Sequence, residues 1–150
     1  MNGDLKVRKY DNQIVLPKDI CTQIEQVAGS TYPNECCGIL FGAVESDLDK
    51  VEAIEVLDNM STQSIKDSYY MISPLELFSY EQDYQKQGYE ILGFFHSHPD
   101  ASAILSAEDK AQMVPELFYL IIEVRQGKVT SQSAWRKNKS DDSITEINIT

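Results

Sequence analysis

Three apolar-rich runs of strand length constrain this chain more than any other feature: "CCGILFGA" at 36–43, "YEILGFFHSH" at 89–98 and "LFYLIIEV" at 117–124. The first is continuous and flanked by turn formers, the pattern of a strand buried on both faces. A strand of that kind needs a packing layer on each side, and the segments between the runs supply helices. Ile20, Ile24, Val27 and Ala28 recur at helical spacing up to Gly29, which predicts a first helix ending at that glycine. "SPLE" at 73–76 combines an N-cap serine, a proline at the first helical position and a glutamate at the third, predicting a helix from there to Gly88.

Shorter strands are expected at "QIVLP" (13–17), "VEAIEVLD" (51–58) and "SYYMIS" (68–73). "SAEDKAQM" (106–113) opens a further helix, and "LFYLIIEV" and "VTSQSAW" (129–135) form a hairpin turning near Gln126-Gly127. Strands and helices interleave, so the fold class is α/β or α+β, a sheet flanked by helices. The 150 residues suit one domain, taken as 1–136, followed by a polar tail, 137–150, whose "ITEINIT" either adds an edge strand or stays loose.

Composition narrows the function. A formal charge of −11 repels phosphate backbones, and basic residues cluster only at "RKNK" (136–139), so nucleic acid is not an expected partner. The first residues lack a signal-like apolar stretch, and "LFYLII" (117–122) is too short to span a bilayer; a soluble protein with no membrane partner is expected. Three cysteines, Cys21, Cys36 and Cys37, make no CxxC pair and no even framework, which fits the reducing cytoplasm.

Both histidines of the chain, His96 and His98, stand two positions apart at the end of a buried strand. Side chains at i and i+2 of a strand share a face, so the two imidazoles point together, with Phe94 ahead of them. A catalytic zinc site takes three protein ligands and leaves the fourth position for water. Asp109, three residues after Ser106 in a helical first turn, is the natural third ligand. The same Ser106 and Asp109 also fit an ordinary helix cap with a dipole-favoured acid, and an H-x-H pair also fits two strand histidines without a metal. Asp100 and Glu108 are read as solvated acids. Glu35, where an exposed turn enters the buried strand at 36, is a candidate general base; the same position suits a solvated loop acid.

Together these residues resemble the JAMM or MPN+ metalloprotease family, also called the JAB domain. Its pattern is a glutamate before Cys-Gly, then H-S-H-P, six residues, and S-x-x-D. Here stand Glu35 before Cys37-Gly38, His96-Ser97-His98-Pro99, and Ser106 through Asp109, with matching spacing. The likeness in layout runs from residue 13 to 136. It implies a mixed sheet flanked by helices, similar to cytidine deaminases, in the compact prokaryotic form. It implies that His96, His98 and Asp109 bind Zn²⁺, that Glu35 is the general base and holds the catalytic water, and that Ser106 stabilises the oxyanion. The implied reaction is hydrolysis of a peptide or isopeptide bond at the C-terminal tail of a ubiquitin-like or sulfur-carrier protein. The tail would lie extended beside a strand near the metal. An inactive protein-binding scaffold of the same fold is the alternative, but such members usually lack one or more of the Glu, His or Asp positions, all present here. A zinc hydrolase of small amide conjugates is another. The one departure is Leu105, where the family often has proline, which implies a less rigid loop. Cys37 and Cys21 are read as core residues; Cys36 and the oligomeric state are left open.

Overall fold

The computed structural model describes residues 13–46, 48–57 and 74–150. The elements are β1 (Gln13–Val15), α1 (Lys18–Thr31), β2 (Cys37–Glu45), β3 (Leu48–Leu57), α2 (Pro74–Gln85), β4 (Glu90–Pro99), α3 (Ala107–Gln112), β5 (Phe118–Arg125), β6 (Lys128–Lys137) and β7 (Ile144–Ile149). The expected strand at 68–73 and the expected cap Ser73 lie outside the described residues.

The seven strands hydrogen-bond in the order β1-β3-β2-β4-β5-β6-β7, and β1 closes the sheet by pairing parallel with both β3 and β7. Hairpins make β2–β3 and β5–β6 antiparallel, while β4 and β5 are parallel and joined through α3. The sheet is therefore mixed and the class α+β. The segment 144–149, expected as an edge strand or a loose tail, is neither: it pairs with β6 on one side and β1 on the other, because the sheet closes through it. The β5–β6 turn places Gln126 and Gly127 at φ +50° and +82°, the backbone of a type I′ hairpin, whose twist matches that of its strands.

Alternation along the central strands divides the core between two faces. Leu40, Phe95, Leu120 and Ile122 meet Ile20, Ile24 and Ala28 of α1 on one. Ile39, Phe41, Phe94 and Ile121 meet Leu77, Tyr80 and Tyr84 of α2 on the other, where Leu105 and Met113 also pack. The ring of Phe41 stacks on that of Tyr84 with centroids 3.9 Å apart.

Helix α1 does not stop at Gly29 but continues to Thr31. A Cβ at Gly29 would lie 2.9 Å from the Gly127 carbonyl oxygen, so this glycine serves close approach to the β5–β6 turn. Gly38 is required for a similar reason: its Cβ would collide with the Phe95 ring and the Glu55 carbonyl. Across the closed sheet, Arg136 of β6 donates from Nη2 to Asp49 Oδ2 of β3 at 2.6 Å, both side chains buried. Arg136 begins the "RKNK" run, so the first member of that basic cluster is an interior partner. Among the described residues no helix is long and apolar enough to cross a membrane.

Candidate metal centre

The site forms where β4 ends. β4 lies between β2 and β5, with His96 opposite Cys37 on one side and Ile121 on the other, so its backbone is fixed by two ladders. Its alternation sends Phe94, His96 and His98 to the face that carries α2 and α3. The turn after Pro99 brings the chain back to Ser106, which caps α3: Ser106 Oγ accepts from Asp109 N at 3.0 Å, and Ser106 N donates to Asp109 Oδ2 at 2.9 Å. This reciprocal capping box fixes the Asp109 rotamer.

The same carboxylate meets both imidazoles. Asp109 Oδ1 lies 3.1 Å from His96 Nε2, Oδ2 lies 3.3 Å from His98 Nε2, and the two Nε2 atoms are 3.2 Å apart. The helix cap and the acid–histidine cluster are thus one construction and not competing readings. His98 Nδ1 lies 2.8 Å from the Ser102 carbonyl oxygen. A carbonyl can only accept, so Nδ1 carries a proton, and Nε2 is the ring nitrogen that faces Asp109 and His96 and would ligate a metal once unprotonated. Two ring nitrogens and a carboxylate converge within 4.8 Å, a donor set suited to a divalent metal ion.

Burial works to raise the Asp109 carboxyl, but the bonds from His96 and His98 outweigh it and hold it well below the usual carboxylate range. At His98, burial works to lower the imidazole; Asp109, the Ser102 carbonyl and the charge of Glu35 more than offset it, and the pKa is raised. Both shifts have one cause, the pairing of the Asp109 carboxylate with the imidazoles beside it.

Glu35 is half-buried in the segment between α1 and β2. It stands outside the group of three but lines the same cleft of about 460 Å³, together with His98, Ser102, Ile104, Ser106 and Asp109. Glu108 reaches the rim of this cleft, and neither it nor Asp100 belongs to the ligand group. Cys37 is buried in the second core cluster, and Cys36 in the first, where burial pushes its thiol up. Leu105 is buried in the second cluster, so packing holds the loop where the family often has proline.

The sequence reading missed three supports. Ser97, between the two histidines, points to the opposite face and accepts from Cys36 N at 2.8 Å, while its own N–H donates to the Cys36 carbonyl. Alternation could have told which face it takes, but not its partner. Ser102 acts through its carbonyl, which leaves no side-chain signature. Asp100, read as merely solvated, accepts from Tyr32 Oη at 2.6 Å and from Gln126 N at 3.2 Å.

Residues 17–137 match the family described as prokaryotic homologues of the JAB domain, and the chain belongs to that family. It is similar to the desampylase of Haloferax volcanii, 30% identical over 103 residues that span 68% of this chain and 71% of that protein. It is also similar to a protein of Desulfitobacterium hafniense solved in solution, at a TM-score of 0.76 and 32% identity over 91% of both chains. A JAB1/MPN domain protein from Archaeoglobus fulgidus shares the fold at a TM-score of 0.56 and 16% identity, covering 95% of this chain and all of that one (100%).

Proposed function

We propose that this chain is a zinc-dependent peptidase or isopeptidase that hydrolyses the bond at the C-terminal tail of a ubiquitin-like or sulfur-carrier protein. The observation that carries the reading is the convergence of His96, His98 and Asp109 beside a cleft that Glu35 and Ser106 also line. His96 and His98, through Nε2, and Asp109, through its carboxylate, would hold the metal. Zinc bound there supplies Lewis acidity that lowers the pKa of water and polarises a carbonyl.

The remaining roles belong to the chain. Glu35, outside the ligand group, takes the proton of the attacking water and delivers it to the leaving amine. Ser106 Oγ accepts from Asp109 N, so its own proton is available to donate to the oxyanion. Ser102, through its carbonyl, keeps His98 in the ligating tautomer.

A strand edge supports the tail as substrate. β3 pairs with β1 only at Asp49 and Lys50, and among the described residues no strand covers its outer edge from there to Leu57. Leu57 is opposite Cys37, so this edge runs toward the Glu35 segment, and an extended tail added to it would approach the cleft. The similarity to a desampylase supports a protein modifier over a small amide. The presence of all five polar positions argues against an inactive scaffold. Free cysteines suit a cytoplasmic setting.

The deciding experiment joins metal content to cleavage. Elemental mass spectrometry of dialysed protein should find about one zinc per chain. The loaded protein should cleave a ubiquitin-like fusion after its Gly-Gly tail and spare a short fluorogenic peptide. No bound zinc after reconstitution would leave the scaffold as the better reading; cleavage of the peptide alone would favour the small-amide hydrolase.

A further inference from the structure

Glu35 lies in a five-residue connection, 32–36, between the end of α1 and the start of β2. Just after it, Cys36 is bonded twice to Ser97: Cys36 N to Ser97 Oγ at 2.8 Å and Ser97 N to the Cys36 carbonyl at 3.0 Å. Three residues before it, Tyr32 Oη donates to Asp100 Oδ2 at 2.6 Å. Both anchors are on β4 or its end and bracket His98, so the connection is tied on either side of Glu35 to the element that carries the histidines.

Asp100, though exposed, makes three further hydrogen bonds. Its N–H donates to the Val124 carbonyl at 2.6 Å, its carbonyl accepts from Arg125 Nη1 at 2.9 Å, and its Oδ1 accepts from Gln126 N at 3.2 Å. Its φ of +55° turns the backbone so that these contacts form together, a conformation that aspartate tolerates better than most residues. The ends of α1 and β4 and the β5–β6 turn therefore meet at one carboxylate, with Gly29 against Gly127 completing the junction.

We propose that Tyr32 and Asp100 form a latch that sets the Glu35 carboxylate against the His96, His98 and Asp109 group, each acting as a positioning residue for the general base. The inference rests on the role given to Glu35 above. Neither residue is in the ligand group, and the ring of Tyr32 packs on the first core cluster whether or not its hydroxyl is present. Proton transfer demands placement within hydrogen-bond reach, and a base displaced by a fraction of an ångström loses rate without losing substrate.

The test uses Tyr32→Phe, which keeps the ring, and Asp100→Ala as an independent break. In zinc-free protein, amide hydrogen exchange over residues 34–36 should rise about tenfold in both variants. In zinc-loaded protein, kcat on a ubiquitin-like fusion should fall about tenfold with KM and zinc stoichiometry unchanged, and the double variant should be no slower than Asp100→Ala alone. Unchanged exchange in both variants overturns the latch whatever the activity. Faster exchange with wild-type kcat would make the bond structural only and overturn the positioning role. A wild-type protein that binds zinc yet cleaves no fusion or peptide would sink the enzymatic reading, and the exchange measurement would still decide whether the latch holds the Glu35 segment.

Discussion

Two places in this molecule bury charge to nearly the same depth. Arg136 and Asp49 face each other across the closed sheet with side chains 6% and 2% exposed, and His96 and Asp109 meet at the end of β4 with side chains 3% and 5% exposed. Burial does not tell them apart, whereas charge balance does. The first place sets a guanidinium against a carboxylate at 2.6 Å, cation and anion neutralised within the chain. The second sets one carboxylate against two imidazoles, both with Nε2 turned toward it, beside a cleft that adds Glu35. A structural ion pair is complete in itself, and a ligand set carries a residual negative charge aimed at one point.

The contrast is sharpest under substitution. Asp109→Ala should abolish zinc binding and reduce cleavage to background; elemental analysis beside an activity assay reads both, and retained zinc would remove Asp109 from the ligand set. His98→Ala should behave in the same way. Glu35→Ala comes next: zinc stays and kcat falls by about 10²–10⁴-fold, since a general base is lost and no ligand is. Loss of zinc in that variant would turn Glu35 into a ligand and break the division of roles.

Asp49→Ala should show the opposite behaviour. Leaving Arg136 buried opposite an apolar residue costs about 3–5 kcal/mol of stability, read from denaturant unfolding, while the folded fraction keeps its zinc. Replacing both partners, Asp49→Leu with Arg136→Met, should recover most of that loss. If the double variant were as unstable as the single one, the pair would be doing more than neutralising itself. Between the two places stands Ser106→Ala, which removes a helix cap and an oxyanion donor together. About 1 kcal/mol of stability and about a hundredfold of kcat should go, with zinc retained. A variant that loses only the stability would leave Ser106 as a cap and nothing more.

How much of this was legible depended on range along the chain. The i, i+2 placement of His96 and His98 follows from strand geometry, and the Ser106 to Asp109 spacing follows from the first turn of a helix; both are local and appear as written. The turn at Gln126-Gly127 is likewise local, because positive φ at two successive residues favours a glycine at the second. Gly29 misled because a glycine near a helix end fits either a left-handed stop or a close contact. Only the position of the β5–β6 turn decided for contact.

Sequence alone thus determined the alternation that buries the central strands, the helix face of α1, and the motif whose spacing names the residues of the site. Tertiary structure decided which of those residues meet. It closed the sheet through β1, paired Asp49 with an arginine 87 positions away, and tied Tyr32 to Asp100 across 68. The physical reason is that hydrogen-bond capacity and charge are written in each residue, whereas a partner is chosen by whatever backbone the packed sheet brings within 3 Å, and periodicity carries no record of that distance.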